Sequence, residues 1–131
     1  MRVADLMQTN LKTIRGTDTI GDAVALLAET HVSGLPVIDE RGRLAGVLSN
    51  SDILGAIAEH PEARDRLFEE TMVREVMTPR PEVIAPEAST REVARRLLYL
   101  EVHRLFVEDH GKLVGVISTS DLVRMLATER V

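Results

Sequence analysis

The chain has 131 residues, a formal net charge of −5, 44% hydrophobic residues, and neither cysteine nor tryptophan. The missing cysteine removes disulfides, thiol catalysis and thiolate-bound zinc together. The acidic balance, with one Tyr and two Phe, argues against duplex binding and against a stacking platform for single-stranded nucleic acid, while leaving room for a small local basic patch.

From Val3 onward the chain is written twice. Val3 matches Val73, an offset of 70; after one residue is dropped in a turn Gly42 matches Gly111, an offset of 69. Each copy spans only about 55–60 residues, near the size at which a lone core becomes marginal, so the copies are expected to fold together around an aliphatic core. The boundaries are 1–59 for the first copy, 60–72 for a connecting helical segment, and 73–131 for the second.

Each copy opens on a Val-x-(Asp/Glu)-(Leu/Val)-Met segment, Val3 to Met7 and Val73 to Met77, and continues extended through Ile14 or Ile84. Pro79, Pro81 and Pro86 keep the second version out of helix. Thr19 and Ser89 are placed as helix N-caps, the latter with Glu92 in a Ser-x-x-Glu box. Ile20, Ala23, Val24, Leu27 and Ala28 then form a stripe of helical period, matched by Thr90, Val93, Ala94, Leu97 and Leu98. Leu35–Asp39 and Leu105–Asp109 lead to turns at Gly42 and Gly111 and on to Leu44–Leu48 and Leu113–Ile117, the pattern of a β-hairpin. A last helix begins near Asp52 and near Asp121. The stretch from Glu59 to Met72, with Leu67 and Phe68, is read as a solvated linker of helical character in preference to a partner-binding helix.

The motif with most chemistry is Gly-x-x-Ser-x-x-Asp, present as Gly46, Ser49, Asp52 and again as Gly115, Ser118, Asp121. It sets a hydroxyl and a carboxylate where a strand opens into a helix N-terminus, whose free N–H groups attract anions. Such a corner suits a ligand with both vicinal hydroxyls and a phosphate, the Asp taking the ribose. Taken once, it is equally plain N-capping by Ser51 or Ser120. Met7 and Met77 read as core fillers, His31 as a helix-end residue and His60 as a linker residue. His103, Asp109 and His110 do not encode a metal site. No nucleophile with a nearby base and no lysine-bearing phosphate loop is present, so no enzyme is expected.

Val32-Ser33-Gly34-Leu35-Pro36-Val37-Ile38-Asp39 before the turn, and Gly46 to Asp52 after it, with both repeated, resemble the cystathionine-β-synthase (CBS) domain pair. The resemblance covers nearly the whole chain except the inter-repeat segment. It implies an α+β fold, two pseudo-symmetric β-α-β-β-α repeats packed through their sheets as a Bateman module, with two clefts that bind adenosine-containing ligands and regulate something else. AMP, ADP or ATP are the first choice of ligand, S-adenosylmethionine or NAD the second, and no cofactor is required. The family's clefts draw on both repeats. One would join Val47, Leu48, Ser49, Asn50, Ser51 and Asp52 to Glu82, Val83, Ile84 and to His103 and Arg104. The other would join Val116, Ile117, Ser118, Thr119, Ser120 and Asp121 to Lys12, Thr13, Ile14 and to Ser33, Gly34 and Leu35. The His103-Arg104 pair is similar to one that grips phosphate in the regulatory gamma subunit of AMP-activated kinase, which ranks the Asp52 cleft first. Glu82 departs from the family, which usually presents a small or apolar residue there.

The reading is a regulatory sensor of an adenosyl ligand, with a disc-like homodimer implied by the family and a regulated protein as a further partner. The alternative is a ligand-free structural or dimerisation module whose Ser and Asp residues only cap helices. No apolar run approaches about 18 residues and no basic-then-apolar leader opens the chain, so neither a membrane span nor secretion is expected and the cytoplasm is the default compartment.

Overall fold

The structure is a computed structural model that describes residues 1–129. The first repeat runs α1 (Val3–Leu6), β1 (Ile14–Arg15), α2 (Ile20–Thr30), β2 (Gly34–Ile38), β3 (Leu44–Ser49) and α3 (Asn50–Glu59). A 3-10 turn at Pro61–Ala63 leads into α4 (Arg64–Glu70). The second repeat gives α5 (Val73–Val76), β4 (Thr78–Pro79), β5 (Val83–Ile84), α6 (Thr90–Leu100), β6 (Arg104–Asp109), β7 (Lys112–Ser118) and α7 (Thr119–Glu129). The class is α+β, as expected. The Val-x-acid-x-Met segments are single helical turns: the third-position acid takes the N–H ahead of the turn, Arg2 N donating to Asp5 at 2.9 Å and Met72 N to Glu75 at 2.7 Å.

The folded units are cut differently from the sequence repeats. One unit is Lys12–Pro81; the other joins Met1–Leu11 to the chain from Glu82 onward. Each repeat therefore gives its leading segment to the other. Val3 N donates to Ala88 O at 2.9 Å and Ala4 N to Pro86 O at 3.0 Å, while Val73 N donates to Asp18 O at 2.8 Å and Arg74 N to Gly16 O at 2.9 Å. Val3 and Val73 are fully buried where they land.

In the Lys12–Pro81 unit the sheet order is β1-β2-β3-β4, with β1 parallel to β2 and the other pairs antiparallel. The other unit holds β5-β6-β7 with the same senses, and a bridge between Gln8 and Val116 stands where β4 stands in the first. The motif glycines explain how the donated segment comes so close. A Cβ on Gly46 would lie 2.7 Å from Met77 Sδ and 2.8 Å from Thr78 O; on Gly115 it would lie 2.8 Å from Met7 Sδ and 2.9 Å from Gln8 O. Met7 and Met77 pack at the margins of the two cores, as filler.

Both cores are aliphatic. Ile20, Leu27, Leu35, Val37 and Leu48 centre one, and Val3, Val93, Leu105, Val107 and Ile117 the other. The segment after α3 is more than a solvated linker: Leu67 is buried in the first core and Phe68 packs against it, because an apolar pair one residue apart from the charged run gives α4 a face to set on α2. In the second stripe Val93 and Leu97 are buried, but Leu98 is 80% exposed, beside Tyr99 at 87%. The reciprocal capping box forms in the first repeat, between Thr19 and Asp22; at Ser89 the bond is the forward one, Glu92 N to Ser89 Oγ at 3.1 Å. His31 ends α2 in the left-handed region, and His60 caps α3.

The two hairpins turn at Gly42 and Gly111, both at φ +80°, a conformation glycine adopts at no steric cost. In the first, Asp39 Oδ1 accepts from Arg43 N at 2.9 Å and Arg41 N at 2.8 Å. Those bonds, Arg43's first, hold the Asp39 carboxyl below its usual range.

If the close approach at the motif glycine matters, Gly46→Ala overpacks it and costs about 1–3 kcal/mol in urea denaturation. Gly55, in mid-α3 with open space around it, is the control: Gly55→Ala is expected to gain about 0.5–1 kcal/mol from helix propensity. Equal effects of the two substitutions would remove the role assigned to Gly46.

Candidate ligand-binding corners

Strand β3 pairs with β2 through its last residue, Gly34 opposite Ser49, and the chain turns directly into α3. The N-cap is therefore Ser49 itself, and neither Ser51 nor Ser120 caps, since both stand one residue inside a helix already begun. Asp52 N donates to Ser49 Oγ at 3.1 Å and Ser49 N to Asp52 Oδ2 at 2.9 Å. The second copy repeats this: Asp121 N to Ser118 Oγ at 3.3 Å, and Ser118 N to Asp121 Oδ2 at 2.8 Å. The Ser-x-x-Asp motif is a capping box in both places, with the Ser at the cap and an acid three residues on.

Beside each box lies the start of the neighbouring strand. Asn50 N donates to Ser33 O at 3.0 Å, and Thr119 N to His103 O at 2.9 Å. Arg104 pairs across the ladder with Ser118, as Gly34 does with Ser49. So Ser33, Gly34 and Leu35 stand against Ser49 and Asn50 in one unit, while His103 and Arg104 stand against Ser118 and Thr119 in the other. His103 and Arg104 are exposed, Gly34 buried.

The other repeat enters each corner through its donated segment. Thr78 Oγ1 donates to Asp52 Oδ1 at 3.2 Å, and Gln8 Nε2 to Asp121 Oδ1 at 3.3 Å. These two positions match across the repeat, and motif spacing gave no pointer to them because the contact is made only after the exchange.

The two carboxylates differ in what they have left to offer. An ionised carboxylate has about four lone-pair sites. Among the described residues Asp121 accepts from Ser118 N, Ser118 Oγ, Gln8 Nε2 and Arg124 Nη1, the last at 3.2 Å, and is only 3% exposed. Asp52 accepts from Ser49 N and Thr78 Oγ1 and is half-buried. Asp52 keeps acceptor capacity for an incoming hydroxyl; Asp121 has spent its own on the protein.

Several of the expected contact residues are core side chains. Ile14, Leu35, Leu48, Ile84 and Ile117 are buried in their units, so a ligand meets only their main chain. The pleat alternates, and Val47 and Val116 lie on the other face, half-buried, in line with Ser49 and Ser118. Lys12, Asn50, Ser51 and Ser120 are exposed and Thr13 half-buried. Glu82, the departure from the family pattern, is neutralised by Arg96 at 2.9 Å, and Arg96 Nη1 also donates to Val83 O at 2.7 Å. Among the described residues no three His, Asp or Glu side chains converge to hold a metal ion. No helix among them is long and apolar enough to cross a membrane.

Comparison with known proteins agrees with this architecture. The CBS domain profile matches residues 3–59 and 73–128. The chain is 31% identical over 147 residues to the CBS domain-containing protein CBSX2, chloroplastic, of Arabidopsis thaliana, covering 93% of this chain and 62% of that protein. The crystal structure of CBSX2 in complex with AMP superposes with a TM-score of 0.84 at 32% identity, covering 99% and 98% of the two chains. Inosine-5'-monophosphate dehydrogenase of Mycobacterium leprae is 35% identical over 120 residues, which is 90% of this chain and 21% of the enzyme. The chain thus spans about three fifths of the plant relative and one fifth of the dehydrogenase.

The difference between the two carboxylates has a measurable consequence. Loss of a capping acid costs about 0.5–2 kcal/mol, and stranding buried donors adds about 1–3 kcal/mol. Asp121→Ala is therefore expected to lower stability by about 2–3 kcal/mol and Asp52→Ala by about 1 kcal/mol in urea denaturation. Equal losses would mean that the extra bonds at Asp121 carry no weight.

Proposed function

The chain belongs to the CBS domain family, with two repeats in one chain, and on that premise we propose that it is a regulatory sensor that binds an adenosine-containing ligand at its Ser-Asp corners. AMP is the first choice, ADP and ATP next, with S-adenosylmethionine or NAD as second-rank ligands. The observation that carries the proposal is the unspent acceptor capacity of Asp52 beside a helix N-terminus, together with the AMP complex of the relative CBSX2. Ribose hydroxyls donate to Asp52. Val47 and the main chain of Ser33–Leu35 are suited to the base, and the hydroxyls of Ser49 and Ser51 with the N–H of Ser51 to the polar side of the ligand. The Asp121 corner, with Val116, Thr119 and Ser120, is the weaker reader.

At the Asp121 corner Arg104, with His103 beside it, is the proposed phosphate partner, since a guanidinium gives paired charge-assisted bonds to phosphate oxygens. The inference for the dehydrogenase is that the shared part is its CBS region; catalysis is not proposed for this chain. Ligand binding regulates a partner only if it favours one conformation over another, and the identity of that partner is open to capture experiments with and without AMP. We further propose a homodimer closed over the exposed Leu98, Tyr99 and Leu126, and the cytoplasm as compartment, which cell fractionation checks.

Isothermal calorimetry with AMP tests the reading. Charged hydrogen bonds are worth about 1.5–3 kcal/mol each, so Asp52→Ala should weaken AMP by roughly tenfold or more. Wild-type affinity in Asp52→Ala would refute the role given to Asp52, whereas a wild-type chain whose melting temperature ignores every nucleotide offered would favour the ligand-free module. For the dimer, sedimentation of wild type as a monomer, with and without AMP, would refute it; Tyr99→Glu is expected to shift a wild-type dimer towards monomer.

A further inference from the structure

The Ser49-Asp52 corner lies at one end of the β2-β3 ladder, where Gly34 meets Ser49; the Asp39–Gly42 hairpin closes the other end. There the Lys12–Pro81 unit has a cleft of about 450 Å³, lined by Arg15 at the end of β1, Arg41 on the hairpin and Arg74 on the donated α5. We propose that this cleft is a second binding site, for a small, multiply charged phosphate-type oxyanion.

All three arginines are exposed and, among the described residues, none forms an ion pair within contact distance. Arg41 acts on the Asp39 carboxylate at longer range. Two carboxylates line the same cleft, Asp39 and Glu40, and Asp39 is turned to the N–H groups of Arg41 and Arg43, which keep it ionised. Three guanidinium groups against two carboxylates leave the lining with a net positive charge. Guanidinium forks match phosphate oxygens in geometry and are more weakly hydrated than an ammonium, so they bind such anions at an open cleft. The main chain brings two of the arginines together. Arg74 N donates to Gly16 O at 2.9 Å, and a Cβ on Gly16 would sit 3.2 Å from Arg74 Cβ, so the donated turn lies directly on the loop that follows Arg15.

The other unit shows that the fold does not require this charge. The positions matching Arg15 and Arg74 are Ala85 and Ala4, and its neighbouring cleft is lined by Glu87, Glu92 and Glu108, with Arg96 already paired to Glu82. Between two copies that keep the same ladder and the same Ser-Asp corners, the hairpin end of one is basic and that of the other acidic. The exchanged segment decides the contrast in part, because Arg74 comes from the second repeat and completes a cleft built on the first.

Calorimetric titration of the full chain with inorganic pyrophosphate at low salt tests the site, with ribose 5-phosphate as a second arm. Saturable pyrophosphate binding is expected in the wild type. Binding of pyrophosphate alone would assign a free inorganic anion, and binding of both would assign a phosphate group also when carried on a sugar. Arg15→Ala with Arg74→Ala should weaken pyrophosphate by about tenfold or more, from the usual value of charged hydrogen bonds. Arg41→Ala, at the exposed hairpin, should weaken it severalfold and serves should the double variant fail to show a wild-type melt. Absence of saturable binding of either anion to the wild type, or wild-type affinity in folded Arg15→Ala/Arg74→Ala or in Arg41→Ala, would overturn the proposal.

Discussion

Gly46 and Gly115 let another segment of the chain approach to a distance that no side chain would permit, and most of the organisation follows from that approach. Met77 and Thr78 occupy the space beside Gly46, and Met7 and Gln8 the space beside Gly115. Because these residues belong to the opposite repeat, each folded unit contains a piece of both. A repeat of about 55–60 residues has a marginal core on its own; here Val3 and Val73 are buried in the unit to which they are donated, so neither core is complete without the other copy's leading segment.

The same exchange finishes the chemistry of the corners. The Gly of the motif admits the donated segment, the Ser starts the helix, and the Asp both closes the capping box and receives a side chain from the donated segment, Thr78 or Gln8. Structural and functional readings of the motif are therefore not alternatives. Capping consumes one carboxylate oxygen, and what remains on the other decides whether the corner can read a ligand. Around Asp121 that remainder is consumed by Gln8 and Arg124; around Asp52, among the described residues, it is met by Thr78 alone. Two copies of one motif thus keep unequal acceptor capacity, and the charge contrast between the clefts near the hairpin ends is a second way in which they have diverged.

Local features were legible in the chain. The caps at Thr19 and Ser89, the helical stripes, and glycines at both hairpin turns each depend on a few adjacent residues, and all were found where spacing placed them. What escaped depends on distant partners. Val3 to Met7 and Val73 to Met77 look interchangeable, so the sequence does not say which unit each joins. Without the exchange, Gln8 and Thr78 have no visible role. The N-cap was misplaced by two residues because serines stand at both Ser49 and Ser51, and only the pairing of Ser49 with Gly34 decides where the strand ends. Leu98 follows the helical period yet faces solvent, since periodicity marks a stripe and not the width of what covers it.

The most direct test is an amide-resolved NMR titration with AMP, which reads both corners and both donated segments at once. The account predicts saturable shifts at Ser49 to Asp52, carried to Thr78 on the donated segment, with smaller changes at Ser118 to Asp121, Arg104 and Gln8. Saturation that leaves Ser49, Asp52 and Thr78 unmoved, or a spectrum unchanged by AMP, would contradict it.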